Sequence, residues 1–526
     1  MYRRLLICLA FSTCCFLNTW VELAEGDGVY FARYDPVYTV VVPVVCWEMV
    51  LTLGLFGAWE FCRRRPPKYP GLFHALFLAS CLWPLGIGSI AALRILPIDA
   101  TPLIRNPWFW PASLAAAVTP LRFAVLRPGT AARFMRAVFL YSWVVLALVL
   151  FQSVHGTLLK YPPSAYADGP LVGSLQSRPS DIRVVWIIFD ELSQTIAFGN
   201  RPAGLQLPNL DRLRSESFYA SSAIAPADST ERSIPALTIG QPVLEAIPEG
   251  PDDLRLRTPS RSTPFAWSSI PNVFDSARGL GFDTAVVGWF HPYGRVLNRS
   301  LTRCYWIAGW LVSGIEERVE PQPLADAMWD RARLQFAVLP LVGHLPGMSG
   351  RYRRMEKLKQ FPYLLDRADE IVADASIGLA LIHLDIPHPP AIYSRSEGKM
   401  TANGPIGYLD NMALVDRTLG ELRQKIDSAG LGNRTAILVS ADHGWRTNLW
   451  RGGAEWTDTE EAASHSDTSG VPFLLKLPEQ TSGLTYRKPF NTVITRQLIT
   501  DILEKRLTGP SRISDSIDRY GKNLRD

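Results

Sequence analysis

Val184-Val185-Trp186-Ile187-Ile188-Phe189-Asp190-Glu191 is the stretch on which the fold of this chain turns. Six apolar residues run without a polar break and then stop on two carboxylates. A short uninterrupted apolar run fits a strand covered on both faces, the environment inside a parallel sheet. In open α/β sheets ligands sit in the crevice beyond the carboxyl ends of the strands, so two acids there are placed for chemistry. The arrangement recurs three times: Thr284 to Val287 leads to His291, Gly378 to Leu384 leads to Asp385 and His388, and Thr435 to Ser440 leads to Asp442 and His443. Helical patterns lie between these runs, over Asn209 to Ser217 and Asn411 to Ala429, the latter apolar at Met412, Leu414, Val415, Leu419 and Leu422. This alternation predicts an α/β domain with a mostly parallel central sheet. Its strand ends collect carboxylates and imidazoles, a donor set suited to a divalent cation. Each residue also has a plain structural reading: Asp190 and Glu191 as the end of a strand, His388 as a turn residue among prolines, Asp442-His443-Gly444 as a loop. His383 reads as a core histidine within its strand, and His155 and His344 as structural or membrane-boundary residues.

Outward from this domain the composition changes. The chain has 526 residues, too many for one ordinary domain, and its 47% hydrophobic content is concentrated in the first third. Five stretches approach the ~20 apolar residues that a membrane helix needs. They are Leu5 to Ala24, Val37 to Trp59, Leu72 to Leu93, Trp108 to Leu126, which Pro111, Pro120 and Arg122 interrupt, and Phe134 to Thr157. The first has the basic start of a signal peptide, but Glu22 spoils the cleavage pattern. Arg3 and Arg4, then Arg63 to Lys68, then Arg127, Arg133 and Arg136 mark alternate loops as cytoplasmic. That count places everything after Thr157 outside the cytoplasm, with or without the first span. The expected division is therefore a membrane domain of about five spans over residues 1–160, a linker over 161–180 rich in Pro, Gly, Ala and Ser, and an extracytoplasmic domain over 181–526. The apolar segment Leu334 to Leu345 is too short to span and reads either as an interfacial helix or as a buried helix of the soluble domain. A net charge of +5, with basic residues beside apolar runs and no single large patch, argues against nucleic acid as a partner. Six of seven cysteines fall in the hydrophobic third, so Cys304 has no partner for a disulfide within the outer domain.

Four motifs in order carry a family resemblance: Ile187-Ile188-Phe189-Asp190-Glu191, Pro208-Asn209-Leu210-Asp211-Arg212-Leu213, Ser233-Ile234-Pro235-Ala236-Leu237 and Asp442-His443-Gly444. Together they resemble the signature of the sulfatase and alkaline phosphatase superfamily, over Arg183 to Pro478. The resemblance implies one divalent ion held by Asp190, Glu191, Asp442 and His443, together with a nucleophile at a helix start. Two departures bear on the branch. The segment nearest to a formylglycine motif, Arg257-Thr258-Pro259-Ser260-Arg261, has arginine where the nucleophile would stand, and Gly281 to His291 has Trp289 where sulfatases carry a lysine. Thr230-Glu231-Arg232-Ser233-Ile234-Pro235 is similar instead to the T-x-x-S-x-P setting of the membrane transferases, namely lipoteichoic acid synthases and phosphoethanolamine and phosphoglycerol transferases. Pro235 suits the first turn of a helix, which predicts a helix start near Ser233 with its positive end toward Thr230. Ser229 or Thr230 as a simple N-cap remains the plain alternative.

The resemblance thus implies Thr230 as nucleophile and metal ligand, His388 and His465 as proton carriers, and His291 and Arg232 as substrate-binding residues. It also implies zinc or manganese as the ion, or calcium in a true sulfatase. The expected activity is transfer of a phospho-substituent from a membrane lipid to an extracytoplasmic glycan or lipid at the cell (inner) membrane. Hydrolysis of a phosphodiester or sulfate ester is the rival within the fold, and an inactive membrane scaffold the rival outside it.

Overall fold

The computed structural model describes the chain apart from residues 26–29, 33, 36, 65–69, 96–121, 157–159, 176–180, 309–322, 339–347, 452–455 and 524–526. The chain divides into two compact units, one built on Met1–Ala165 with Arg318–Ser349, the other on Tyr166–Trp310 with Gly350–Asp526.

In the first unit, among the described residues, two helices are long and apolar enough to cross a membrane, Val37–Arg64 and Pro128–Val154, or three if a bent pair counts as one span. Large apolar side chains such as Leu53, Val144 and Phe151 face outward on them. Five spans are not supported. The first expected span is a pair of helices, Tyr2–Cys15 and Leu17–Ala24, bent by 66°. Phe16 stands between them at φ −115°, ψ 11°, outside the helical region. The third comprises Pro70–Ser80 and Leu82–Ile95, joined through Cys81, and its apolar part is only Phe73–Ser89. Each piece, at about 1.5 Å per residue, is shorter than the ~30 Å hydrocarbon layer. Most of the fourth, like His344, lies outside the described residues. Hydropathy sums composition and does not sense such breaks.

This unit buries polar groups that need partners, and the helices supply them. Trp20 donates its indole N–H to Glu48 at 2.7 Å, and Asn18 donates to Glu22 at 3.2 Å. The later helix Leu324–Val338 belongs here as well: Gln335 donates to Thr19 at 2.8 Å, and Trp47 donates to the Met328 carbonyl at 2.7 Å. The segment beginning near Leu334 thus enters the membrane-type unit at its described end, where the sequence left the soluble core open.

The second unit is organised by a nine-stranded sheet. Its strands are β1 (Arg183–Phe189), β2 (Phe218–Ile224), β3 (Asp283–Phe290), β4 (Arg303–Ala308), β5 (Ile377–Leu384), β6 (Thr435–Ser440), β7 (Gly470–Lys476), β8 (Leu484–Tyr486) and β9 (Phe490–Asn491). The order is β8-β2-β7-β6-β1-β5-β3-β4, with β9 also on β2. Only β7 runs against its neighbours. Every residue of β1, β5 and β6 is buried, the environment expected of unbroken apolar runs. Register then places the chemistry. Ile188 lies opposite Ser440 and Phe189 opposite Leu384, so the chain leaves three adjacent strands side by side, at Asp190, Ala441 and Asp385.

Helices cover the sheet close to where they were expected, at Pro208–Glu216 and Tyr408–Ser428. Asp416 of the second ties down the start of the first, accepting from the Leu210 N–H at 2.8 Å and the Asn209 amide at 3.0 Å. The described end of the expected linker lies along this unit: Gly169 donates to the Gly294 carbonyl at 3.0 Å, and the Leu175 N–H to the Asp283 carboxylate at 2.8 Å.

Candidate active site

The helix carrying Thr230 starts earlier than Pro235 suggests. It spans Thr230–Ile239, with extended Ser229 as N-cap and Gly240, left-handed at φ 71°, closing it. Thr230 is therefore the first helical residue, and Pro235 stands inside. An interior proline ordinarily costs about 3 kcal/mol, yet the helix holds because Ser233 through Ile239 are all buried. The positive helix end still falls at Thr230, now with the threonine itself in the first turn.

The Thr230 hydroxyl donates to Asp190 Oδ2 at 3.1 Å and lies 3.3 Å from His443 Nε2. His443 Nδ1 is 3.0 Å from the Gly444 carbonyl oxygen. A carbonyl only accepts, so Nδ1 carries the proton and Nε2 offers a lone pair. That lone pair faces Asp190 Oδ1 at 3.5 Å and Asp442 Oδ2 at 3.3 Å. Both oxygens are fully buried and have no hydrogen-bond partner. Three acceptors converging without a proton between them are costly in a protein interior, and a divalent cation resolves the conflict. Asp190, Asp442 and His443 thus fit such an ion, and Asp190 with Glu191 and His388 forms a second group of metal-compatible spacing. Burial and the neighbouring Asp442 and Glu191 hold the Asp190 carboxyl well above the usual range, so its charged form is only comfortable beside a cation.

Backbone and aromatic contacts hold these groups in place. The other oxygen of Asp442 accepts from the His443 N–H at 2.8 Å and the Glu191 N–H at 3.3 Å. Glu191 is left-handed at φ 66°. The Tyr408 hydroxyl braces it by donating to its carbonyl at 2.7 Å, while the Tyr408 ring stacks on Trp445 with centroids 4.2 Å apart. Gly444 is required by space: a Cβ there would stand 2.2 Å from the Thr468 carbonyl oxygen and 2.7 Å from Ser469 Cα, both backbone.

Of the residues singled out in the sequence, Asp190, Glu191, Thr230, His388, Asp442 and His443 come together. His388 is buried, its Nδ1 2.7 Å from the Pro389 carbonyl oxygen and its ring edge-on to Trp289 at 5.0 Å. Burial, Lys357 and Arg446 keep its pKa well below the ordinary value, so it is neutral near pH 7. His291 lies behind Thr230, with Nε2 3.2 Å from the Thr230 carbonyl oxygen, and burial lowers its pKa to about 3. Arg232 is drawn away to Asp228 and the Leu244 carbonyl. His465 sits on the surface, its side chain 72% exposed, beside Glu461.

Three residues were missed. Arg446 Nε donates to Glu191 Oε1 at 2.6 Å, and Trp450 donates to Oε2 at 3.0 Å. Lys357, from the helix Met348–Ala373, places its ammonium 2.5 Å from the carbonyl oxygens of both Asp385 and His388 and fixes that turn. A cation four residues after Asp442 was a usable signal for Arg446; Lys357 offered none, being 28 residues before Asp385.

The family model for sulfatases matches residues 183–503, more than half of the chain. The chain belongs to the sulfatase family. As a sulfatase-family enzyme it falls in the class that acts on phosphoryl or sulfuryl esters, and its Asp/Glu/His cluster has the donor set for the divalent metal that superfamily members use. No curated protein matches it. Solved structures similar to it include the phosphonate monoester hydrolase of Agrobacterium radiobacter, at 15% identity over 62% of this chain and 74% of that one, with a TM-score of 0.38. A protein in the alkaline phosphatase superfamily from Vibrio parahaemolyticus is 14% identical over 66% and 71%, at 0.36. The PsFucS1 sulfatase from Pseudoalteromonas sp. is 17% identical over 62% and 68%, at 0.39. The family assignment rests on the family model. In this sulfatase-family protein the segment nearest to a formylglycine motif is a hairpin turn: Leu254–Thr258 pairs with Arg261–Ala266, and Arg257 is bonded to Glu245 at 2.9 Å.

Proposed function

We propose that the protein transfers a phospho-substituent, such as phosphoethanolamine or phosphoglycerol, from a membrane lipid to an extracytoplasmic glycan or lipid through a phospho-Thr230 intermediate. The observation that carries this reading is the Thr230 hydroxyl at a helix N-terminus, 3.1 Å from Asp190 and 3.3 Å from His443. A threonine hydroxyl is a weak nucleophile until a base or a metal lowers the cost of its alkoxide, and both are supported here. A bound divalent ion, zinc or manganese, would supply Lewis-acid polarisation of the phosphoryl oxygen, held by Asp190, Asp442, His443 and Thr230, with Glu191 adjacent.

The remaining steps belong to the chain's own residues. Thr230 Oγ forms the new bond to phosphorus while its proton passes to Asp190 Oδ2. The bond from phosphorus to the diacylglycerol oxygen breaks on the face opposite Thr230, and that oxygen takes a proton from water while Asp190 keeps the threonine's. In the second half the acceptor hydroxyl attacks phosphorus, its proton goes to neutral His388 and on to water, and Thr230 Oγ leaves and recovers its proton from Asp190. The first expectation for His465 does not enter, given its exposure. The two apolar helices tether the site to a membrane that holds the donor, and the basic loop at Arg63 and Arg64 supports an outward-facing catalytic unit.

The test uses full-length protein with manganese or zinc in vesicles of phosphatidylethanolamine and phosphatidylglycerol, with an aryl sulfate as competing substrate. Diacylglycerol should accumulate in a metal-dependent manner while sulfate does not. Sulfate release without diacylglycerol would return the protein to ester hydrolysis.

A further inference from the structure

We infer that Arg446 is the residue that grips the non-bridging oxygens of the transferred phosphoryl group, with Glu191 and Trp450 as its mount; this rests on the phosphoryl-transfer reading above. Glu191 is fully buried, and its two oxygens are taken by Arg446 Nε at 2.6 Å and Trp450 Nε1 at 3.0 Å. The arginine is thereby pinned through one nitrogen only. Among the described residues its two terminal nitrogens make no hydrogen bond, and its side chain remains 29% exposed. An arginine whose sole task was to neutralise Glu191 would more economically offer both edges of its fork to that carboxylate. Held by Nε, it instead presents two parallel N–H donors outward, the geometry that matches paired oxygens on a phosphoryl group.

Its charge is also felt where the reaction occurs, at Asp190, Asp442 and His388. The sequence offered Arg232 for this task, but that side chain is engaged by Asp228 and the Leu244 carbonyl. In sulfatases a lysine on the β3 segment supplies a cation, and here Trp289 occupies that place beside His388. A site that binds an anion with three buried carboxylates around it needs a fixed cation on the anion's side, and Arg446 is positioned to be that cation.

The experiment measures orthovanadate binding by calorimetry to metal-loaded, full-length protein in detergent, for the wild type, Arg446→Gln and Arg446→Lys. Metal content and melting temperature are read on the same samples. Arg446→Gln should lose about tenfold to a hundredfold in vanadate affinity, as expected for removing charge-assisted hydrogen bonds, at unchanged metal content. Arg446→Lys should recover part of the loss, since it keeps the charge without the fork. Arg451→Gln, exposed and paired with Glu461, should bind as the wild type does. As a check that needs no variant, phenylglyoxal labelling of Arg446 in the wild type should be slowed by vanadate, with Arg451 labelling unaffected. Wild-type affinity in Arg446→Gln, or labelling of Arg446 that vanadate does not slow, would overturn the inference. Loss of metal and of melting temperature in parallel with affinity would make Arg446 a structural support for Glu191 and overturn it as well. If the wild type binds no vanadate, the phosphoryl-transfer reading itself fails, and the two outcomes are distinct.

Discussion

Thr230→Ala is expected to abolish turnover, lowering kcat by at least about a thousandfold, as removal of a covalent nucleophile does when metal and binding groups stay in place. The loss is expected on kcat, since three of the four proposed ligands, Asp190, Asp442 and His443, remain for the metal and the proposed anion grip of Arg446 is untouched. The variant should fold: alanine is a good first-turn residue, and Ser229 keeps the N-cap position. Thr230→Ser should retain part of the rate, because it keeps the hydroxyl while freeing a rotamer that the methyl restricts. Steady-state rates of diacylglycerol release check this, and a parental rate in Thr230→Ala would move the nucleophile elsewhere.

The second large effect is expected at Asp442. Its Oδ1 accepts two backbone N–H groups and its Oδ2 has no hydrogen-bond partner, so the two oxygens have separable roles. Asp442→Asn can keep the backbone contacts while removing the charge that faces His443 Nε2. Metal affinity should drop by more than the ~10-fold to 100-fold typical of losing an outer-shell partner. Turnover should fall with it at subsaturating metal. Melting in the metal-free state should hold, because the asparagine amide can donate to the His443 Nε2 lone pair and the charge that raises the neighbouring Asp190 carboxyl is gone. Calorimetric metal titration and thermal melts in chelator read both effects, and unchanged metal affinity would remove Asp442 from the ligand set.

Much of the catalytic unit was legible because its strands announce themselves. Each run that became β1, β5 or β6 is mostly apolar and meets an ionisable group within two residues of its end, and parallel pairing brings those ends together without further information. β2 was harder to see, since Phe218-Tyr219-Ala220-Ser221-Ser222-Ala223-Ile224 mixes small polar residues with apolar ones and pairs with segments more than 240 positions away. The helix start was misplaced by three residues because a local rule for proline was applied where tertiary burial decides. In the first unit the spans were over-counted because hydropathy does not sense where a helix bends, as at Phe16, or how short its apolar part is, as over Phe73–Ser89. Arg446 and Lys357 have partners whose identity only the fold reveals.

The central claim is a covalent phospho-Thr230, and the most direct measurement is the mass of the peptide carrying Thr230 after full-length protein is mixed with lipid donor and metal, without acceptor, and quenched in acid. The account predicts an adduct on Thr230 with the mass of the lipid's phosphorylated head group, absent from Thr230→Ala and discharged when acceptor is added. An unmodified Thr230 in protein that is releasing diacylglycerol, or an adduct on Ser229 or Ser233, would contradict it.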